Sequence, residues 1–259
     1  MNMTRKYIFV LALLAPVLAA GAEPRPIEVH QVLSLPAGED KIVALTLDAC
    51  GGGYDAELVR FLVEHHIPAT VFATRRWIER HPQGMAVFMA HPELFDIEDH
   101  GDRHVPAIIG PEREVYGIRG NPDLAHLKRE VLGGARAVEK ATGIAPRWYR
   151  AATAEYDPEA LQAIAALGYR VAGFSVNADD GATLSRTQVA ARLQRVKSGD
   201  IIIAHVNRPT SQTAAGLSVG LQKILDGGFR FVPLRDAEVR ALPDTERELS
   251  RAVRAAKPG

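Results

Sequence analysis

The chain has 259 residues, of which 47% are hydrophobic and 24% charged, with acidic and basic side chains in balance. A length of this order carries one sizeable core, and (β/α) barrels of this size are routinely a single domain. Zero formal net charge supplies no global basic field for nucleic acid and no acidic excess of the kind that keeps a tail solvated.

In chain order, Arg5 and Lys6 precede an apolar run over 7–17, broken only by Pro16, and Ala20-Gly21-Ala22 offers small residues at a cleavage position. This pattern predicts an export signal over 1–22 and a mature chain starting near Glu23. The run falls short of the roughly 20 residues a spanning helix needs, so no stable membrane anchor is expected and the protein is placed in the periplasm or outside the cell. Residues 23–40 are proline-rich and read as an N-terminal leader, either a strand or a tether.

From residue 41, short apolar runs alternate with longer amphipathic ones. Strands are predicted at 42–47, 69–74, 95–98, 148–150, 170–176, 200–205 and 229–232. Helices are predicted at 56–64, 82–91, 122–142, 158–167, 187–196 and 216–225. The alternation argues for a parallel sheet covered on both faces. Gly51-Gly52-Gly53 breaks the chain after the first strand but is not followed by the Gly-Lys-Ser/Thr of a phosphate loop, which favours a barrel over a nucleotide fold. The catalytic domain is expected over 41–240, and the charged tail, 241–259, is expected to be loose. Cys50 is the single cysteine, so no internal disulfide forms, and it is expected to pack as a small buried hydrophobe.

Polar residues collect at the predicted strand ends: Asp48 after the first, His100 and His104 after the third, Arg150 after a middle strand, Asp179 and Asp180 after the next, and His205 after Ile201-Ile202-Ile203-Ala204. In a (β/α) barrel the C-terminal strand ends share one mouth, so these residues would converge. The i, i+4 spacing of His100 and His104 puts two imidazoles within reach of one metal, zinc or else cobalt or nickel. Asp48 is placed to act as a general base, Arg150 to hold a carboxylate, and His205 to act as an acid tuned by Asp179 or Asp180. Trp77 and Trp148 are expected in the core. Residues 116–121 read as a lid or a plain surface connection, and Tyr156 and Asn207 are candidates to touch substrate or shape the mouth.

The order of these pieces resembles the polysaccharide deacetylase family, the NodB-homology domain of carbohydrate esterase family four. Thr46-Leu47-Asp48, His100-Gly101-Asp102-Arg103-His104, Arg147-Trp148-Tyr149-Arg150, Asn177-Ala178-Asp179-Asp180 and Ile203-Ala204-His205 are similar to its five motifs, in order. The resemblance implies a distorted (β/α) barrel and a divalent metal, most simply zinc, on His100 and His104. It implies Asp48 as base steadied by Arg150, His205 as acid tuned by an aspartate, Ile203 lining an acetyl pocket, and Tyr149 near the substrate. The implied reaction is removal of N-acetyl, or less readily O-acetyl, groups from peptidoglycan or another N-acetylated polysaccharide. The family's first motif carries a second aspartate as third metal ligand, and Ala49 stands there. The third ligand is therefore open among Asp48, Asp55, Cys50, Asp102 and water. The motif-three proline and motif-four tryptophan are also replaced. Ala49 motivates a rival reading, a catalytically impaired glycan-binding or regulatory module on the same fold, and a small-molecule amidohydrolase is a further alternative.

Overall fold

A computed structural model describes residues 25–35 and 41–248. The predicted export signal, the end of the leader (36–40) and residues 249–259 of the tail lie outside the described residues. Eight parallel strands form the main sheet: β1 (Ile42–Ala49), β2 (Ala69–Ala73), β3 (Phe95–Asp99), β4 (Trp148–Tyr149), β5 (Arg170–Val171), β6 (Val176–Asn177), β7 (Ile201–His205) and β8 (Arg230–Phe231). Among the described residues, seven α-helices accompany them, besides a helical stretch in the tail: α1 (Ala56–Glu64), α2 (Arg75–Arg80), α3 (Pro82–Ala90), α4 (Leu124–Thr142), α5 (Pro158–Ala166), α6 (Arg186–Leu193) and α7 (Thr213–Asp226).

The strands run in the order β5-β4-β3-β2-β1-β7-β6, with β8 beside the start of β1. The two ends of this path, β5 and β6, are successive pieces of one stretch, 170–177. Its first piece pairs with β4 and its second with β7, so the sheet closes on itself there as a distorted (β/α) barrel. The predicted strand over 170–176 is thus split in two, and the leader meets the backbone at the split. Gln31 N donates to Phe174 O at 3.0 Å, Phe174 N to Val29 O at 3.3 Å, and Gly173 N to the Gln31 side chain at 2.7 Å. Residues 27–33 are therefore fixed to the barrel rather than forming a tether.

Period-two alternation sorts the strands into two cores. On β1, Val43, Leu45, Leu47 and Ala49 face outward, in one apolar cluster with Leu58 and Leu62 of α1 and Leu217 and Leu221 of α7. Ile42 and Ala44 face inward, with Phe72 of β2 and Ile201 and Ile203 of β7. Each fully buried leucine of this kind contributes about 1.5–3 kcal/mol. Trp77 and Trp148 are both buried in these clusters, as expected of core residues.

Helix ends follow their capping residues. Asp55 caps α1 by accepting from Leu58 N at 3.0 Å, and Asp123 caps α4 by accepting from His126 N at 2.8 Å. Gly143 closes α4 in the left-handed conformation. Within α4, Gly134 leaves room for the loop after β3: a Cβ there would lie 2.0 Å from Asp99 Oδ1 and 2.7 Å from the Gly101 carbonyl. The tail is not wholly loose. Residues 243–248 are helical, and buried Thr245 accepts from His30 N at 3.0 Å. Among the described residues no helix is long and apolar enough to cross a membrane.

Candidate active site and metal centre

Asp48, His100, Arg150, Asp179 and His205 all stand at or just past C-terminal strand ends; Asp48 and His205 line one cavity of about 1250 Å³, and His100, Arg150 and Asp179 are buried behind its wall in contact with them. Parallel registry sets Asp48 of β1 beside His205 of β7. The cavity wall also carries Cys50, His104, Ile203 and Asn207.

Arg150 is fully buried. Its Nη1 donates to Asp48 Oδ1 at 2.8 Å and to Thr46 Oγ1 at 2.9 Å. Its Nε and Nη2 donate to the carbonyls of Ala172 and Gly173, at 3.3 and 3.2 Å, where the barrel strand is split. The guanidinium also lies 4.2 Å from the centre of the Phe72 ring. One side chain thus orients the carboxylate and satisfies backbone acceptors that the split leaves without a ladder partner. Burial alone would raise the Asp48 carboxyl, but the charges of Arg150, His100 and His205 outweigh it and hold its pKa below the ordinary range.

Of the two candidate partners for His205, Asp179 makes the contact. It is fully buried and accepts from His205 Nδ1 at 2.9 Å, from His205 N at 2.9 Å and from Thr213 Oγ1 at 3.0 Å. Asp180 is exposed and turns to Asn177 and Arg192. Burial would lower the His205 pKa, but the bond to Asp179 together with the neighbouring Cys50 sulfur outweighs it, and the imidazole is raised well above its usual value. A proton at Nδ1 facing Asp179 leaves Nε2 for the cavity.

His100 Nδ1 donates to Arg150 O at 2.7 Å, which fixes the ring and leaves its Nε2 directed at Cys50 Sγ, 3.4 Å away. The ring centroids of His100 and His104 are 4.9 Å apart. Ligand atoms of Cys50, His100 and His104 all lie within 4.8 Å of one another, a donor set that suits a divalent metal. Cys50 does not pack as a buried hydrophobe: it is half-buried at the cavity wall among imidazoles. Burial would raise its thiol, but His100, His104 and His205 outweigh it and hold the pKa well below the ordinary thiol range. Of the other candidates for the third ligand, Asp55 and Asp102 are committed elsewhere, and Asp48 is held through one oxygen while its Oδ2 lies 3.7 Å from His100 Nε2. Asp55 caps α1, Asp102 is paired with Arg75, and Asp48 Oδ1 is held by Arg150.

Two expected substrate contacts do not reach the cavity. Tyr149 and Tyr156 are fully buried. Tyr156 Oη instead accepts from Ala151 N at 3.0 Å, and Arg150 N donates to Asp99 O at 2.9 Å, so the backbone amides of Arg150 and Ala151 are both occupied. Asn207 shapes the mouth through its side-chain bond to Gly51 O. Tyr116, on the hairpin formed by residues 114–119, is largely exposed at the rim.

The most consequential residue the motifs did not single out is Glu130. From α4 its carboxylate accepts the amides of Arg103 and Val105, at 2.9 and 3.0 Å, and so shapes the loop that presents His104, whose φ of 66° is in the left-handed region. The signal was a glutamate inside the inward stripe Leu127, Val131, Gly134, Val138 of an amphipathic helix. Glu130→Gln is expected to loosen this loop and weaken metal binding about 10- to 100-fold with little change in global stability, as loss of an outer-shell partner does. Zinc titration beside thermal melts measures both, and unchanged affinity would show that Glu130 does not set the loop.

A family model described as polysaccharide deacetylase matches residues 36–172, just over half the chain. No curated protein matches. Among solved structures, a peptidoglycan N-acetylglucosamine deacetylase in complex with a naphthalenyl N-hydroxybenzamide superposes with a TM-score of 0.65 at 18% identity, over 79% of this chain and 89% of that one. A family 4 acetyl xylan esterase from Clostridium thermocellum, in complex with a cobalt ion, gives 0.62 at 19% identity over 76% and 89%. A CE4 family pseudoenzyme from Bacillus anthracis gives 0.62 at 18% identity, over 76% of this chain but 65% of that one, so this chain spans slightly less than two thirds of that relative. At these identities the likeness shows the fold.

Proposed function

The chain belongs to the polysaccharide deacetylase family, and from that premise we propose that it is an exported, metal-dependent hydrolase that removes N-acetyl groups from a cell-envelope or extracellular glycan. The observation that carries the proposal is the facing pair of tuned groups. A carboxylate hydrogen-bonded by Arg150 and an imidazole hydrogen-bonded to Asp179 stand on adjacent strands beside the Cys50, His100 and His104 donors.

Cys50, His100 and His104 would hold a divalent metal, which when bound would supply Lewis-acid polarisation of a carbonyl and acidify water. Asp48 takes the proton of the attacking water, and the fixed Arg150 contact keeps its carboxylate oriented. His205 gives its Nε2 proton to the leaving nitrogen, while Asp179 stabilises the imidazolium and sets its tautomer. Ile203, at the cavity wall and mostly buried, is placed to meet the acetyl methyl. The open cavity of about 1250 Å³ exceeds what a small amide needs and favours a glycan chain.

The acid assignment has a sign. A general acid works protonated, so the alkaline limb of kcat/KM follows His205. Asp179→Asn removes the interaction that raises it, and the limb is expected to move to lower pH. A pH–rate profile in which that limb stays in place excludes the Asp179–His205 pair as the acid.

One neighbouring fold is that of a pseudoenzyme, and a mutant of it has restored activity. A purely glycan-binding role for this chain predicts unchanged glycan binding and no acetate release in both the wild type and Asp48→Asn. The retained pairs, Asp48 with Arg150 and Asp179 with His205, favour catalysis, because binding alone does not require an acid and a base poised together.

A further inference from the structure

We propose that Cys50, as a thiolate, is the third protein ligand of the metal, taking over from position 49 the role that an aspartate fills in the family pattern. The inference deepens the deacetylase reading, and it can be tested without turnover.

The reason lies in strand alternation. Ala49 belongs to the outward set of β1 and is fully buried in the same apolar cluster as Leu47, Leu58 and Trp77. A ligand at 49 would have to leave that core face. Cys50 lies one residue past the end of β1, and its Sγ stands at the cavity wall with Asp48, 3.4 Å from His100 Nε2.

The position of Cys50 is also fixed from behind. Thr74 Oγ1 donates to the Cys50 carbonyl at 2.7 Å, and the Asn207 side chain holds the next carbonyl, Gly51 O. Trp77 Nε1 donates to Gly53 O at 2.8 Å, and Gly53 N donates to Asn207 O at 2.9 Å. Gly52, with φ of 79°, is the residue that permits this turn, since a Cβ there would lie 2.8 Å from Asn207 O. A turn held at four points presents Sγ to His100 Nε2 and the His104 ring.

The chemistry is consistent. A thiolate with two neutral imidazoles carries the same net charge as a carboxylate with two imidazoles. It leaves an open position for substrate, as three-ligand catalytic sites do. Sulfur shifts preference toward zinc and cobalt and away from magnesium and manganese.

Because Cys50 is the only cysteine in the chain, any sulfur signal belongs to it. The experiment is cobalt(II) titration of metal-stripped mature protein, read in the near ultraviolet, with Cys50→Ser and Cys50→Asp alongside and circular dichroism as the folding control. A thiolate-to-cobalt charge-transfer band is expected in the wild type and absent from both variants. Zinc affinity should fall in Cys50→Ser by more than the roughly 10- to 100-fold that an outer-shell loss costs, with Cys50→Asp recovering part of it. A wild-type cobalt complex without the band, or zinc affinity unchanged in Cys50→Ser, overturns the assignment. A clear band with no acetate release from any glycan would leave the ligand assignment standing and remove the deacetylase reading, so the two failures are distinguishable.

Discussion

Arg150→Met is expected to lower the stability of the mature protein by about 3–5 kcal/mol, the cost of leaving one member of a buried ion pair uncompensated. For a domain of this size that corresponds to a melting temperature roughly 6–20 °C lower. The guanidinium is fully buried, and four acceptors depend on it: Asp48, Thr46, and the carbonyls of Ala172 and Gly173. Methionine fills much of the volume and offers none of the donors. Part of the loss should be recovered by a second change, Asp48→Leu, which removes the stranded carboxylate. A double-mutant cycle by urea denaturation measures that coupling. A single-variant loss under about 1 kcal/mol would mean that Arg150 is a local partner of Asp48 and not a support of the barrel.

The second large effect is on rate. Asp48→Asn is expected to reduce acetate release about 10²- to 10⁴-fold, the range that general base catalysis contributes, while the fold survives because the amide still accepts from Arg150. The native carboxyl titrates below its ordinary value, so the acidic limb of kcat/KM should lie below the usual carboxylate range. Stability follows the same group. A depressed pKa contributes stability that is present above the unfolded-state value of about 3.9 and is lost as pH falls through the folded value. Acid melts of the wild type and Asp48→Asn should therefore converge at low pH. Full activity in Asp48→Asn would place the base elsewhere.

The barrel is legible in the sequence because its strands are short, apolar and separated by amphipathic helices long enough to show their period. The strand-end placement of Asp48, His100, Arg150 and His205 is legible for the same reason. What is hidden depends on long-range or very short features. Six-residue α2 is too short to show periodicity. The strand Ala152–Tyr156 carries left-handed φ values at Thr153 and Ala154 and pairs with segments far away in the chain. The leader reads as either a strand or a tether, because its ladder partners are backbone groups at Gly173 and Phe174 that no local pattern reveals. Tyr149 and Tyr156 sit beside motif residues in sequence but on the buried side of the chain. For Cys50 the cue is present in period two, which puts it on the face of Asp48, but the glycine run suggests that the strand has stopped. The strand does end, at Ala49, and the turn that follows, held by Thr74, Trp77 and Asn207, leaves Sγ at the cavity wall.

The most direct measurement is acetate release from N-acetylglucosamine oligomers and from peptidoglycan by metal-stripped mature protein, with and without added zinc. Release that appears only when zinc is restored is the result expected of a deacetylase built on Asp48, His205 and the Cys50, His100 and His104 donors. No release from either substrate by folded, zinc-loaded protein would contradict it.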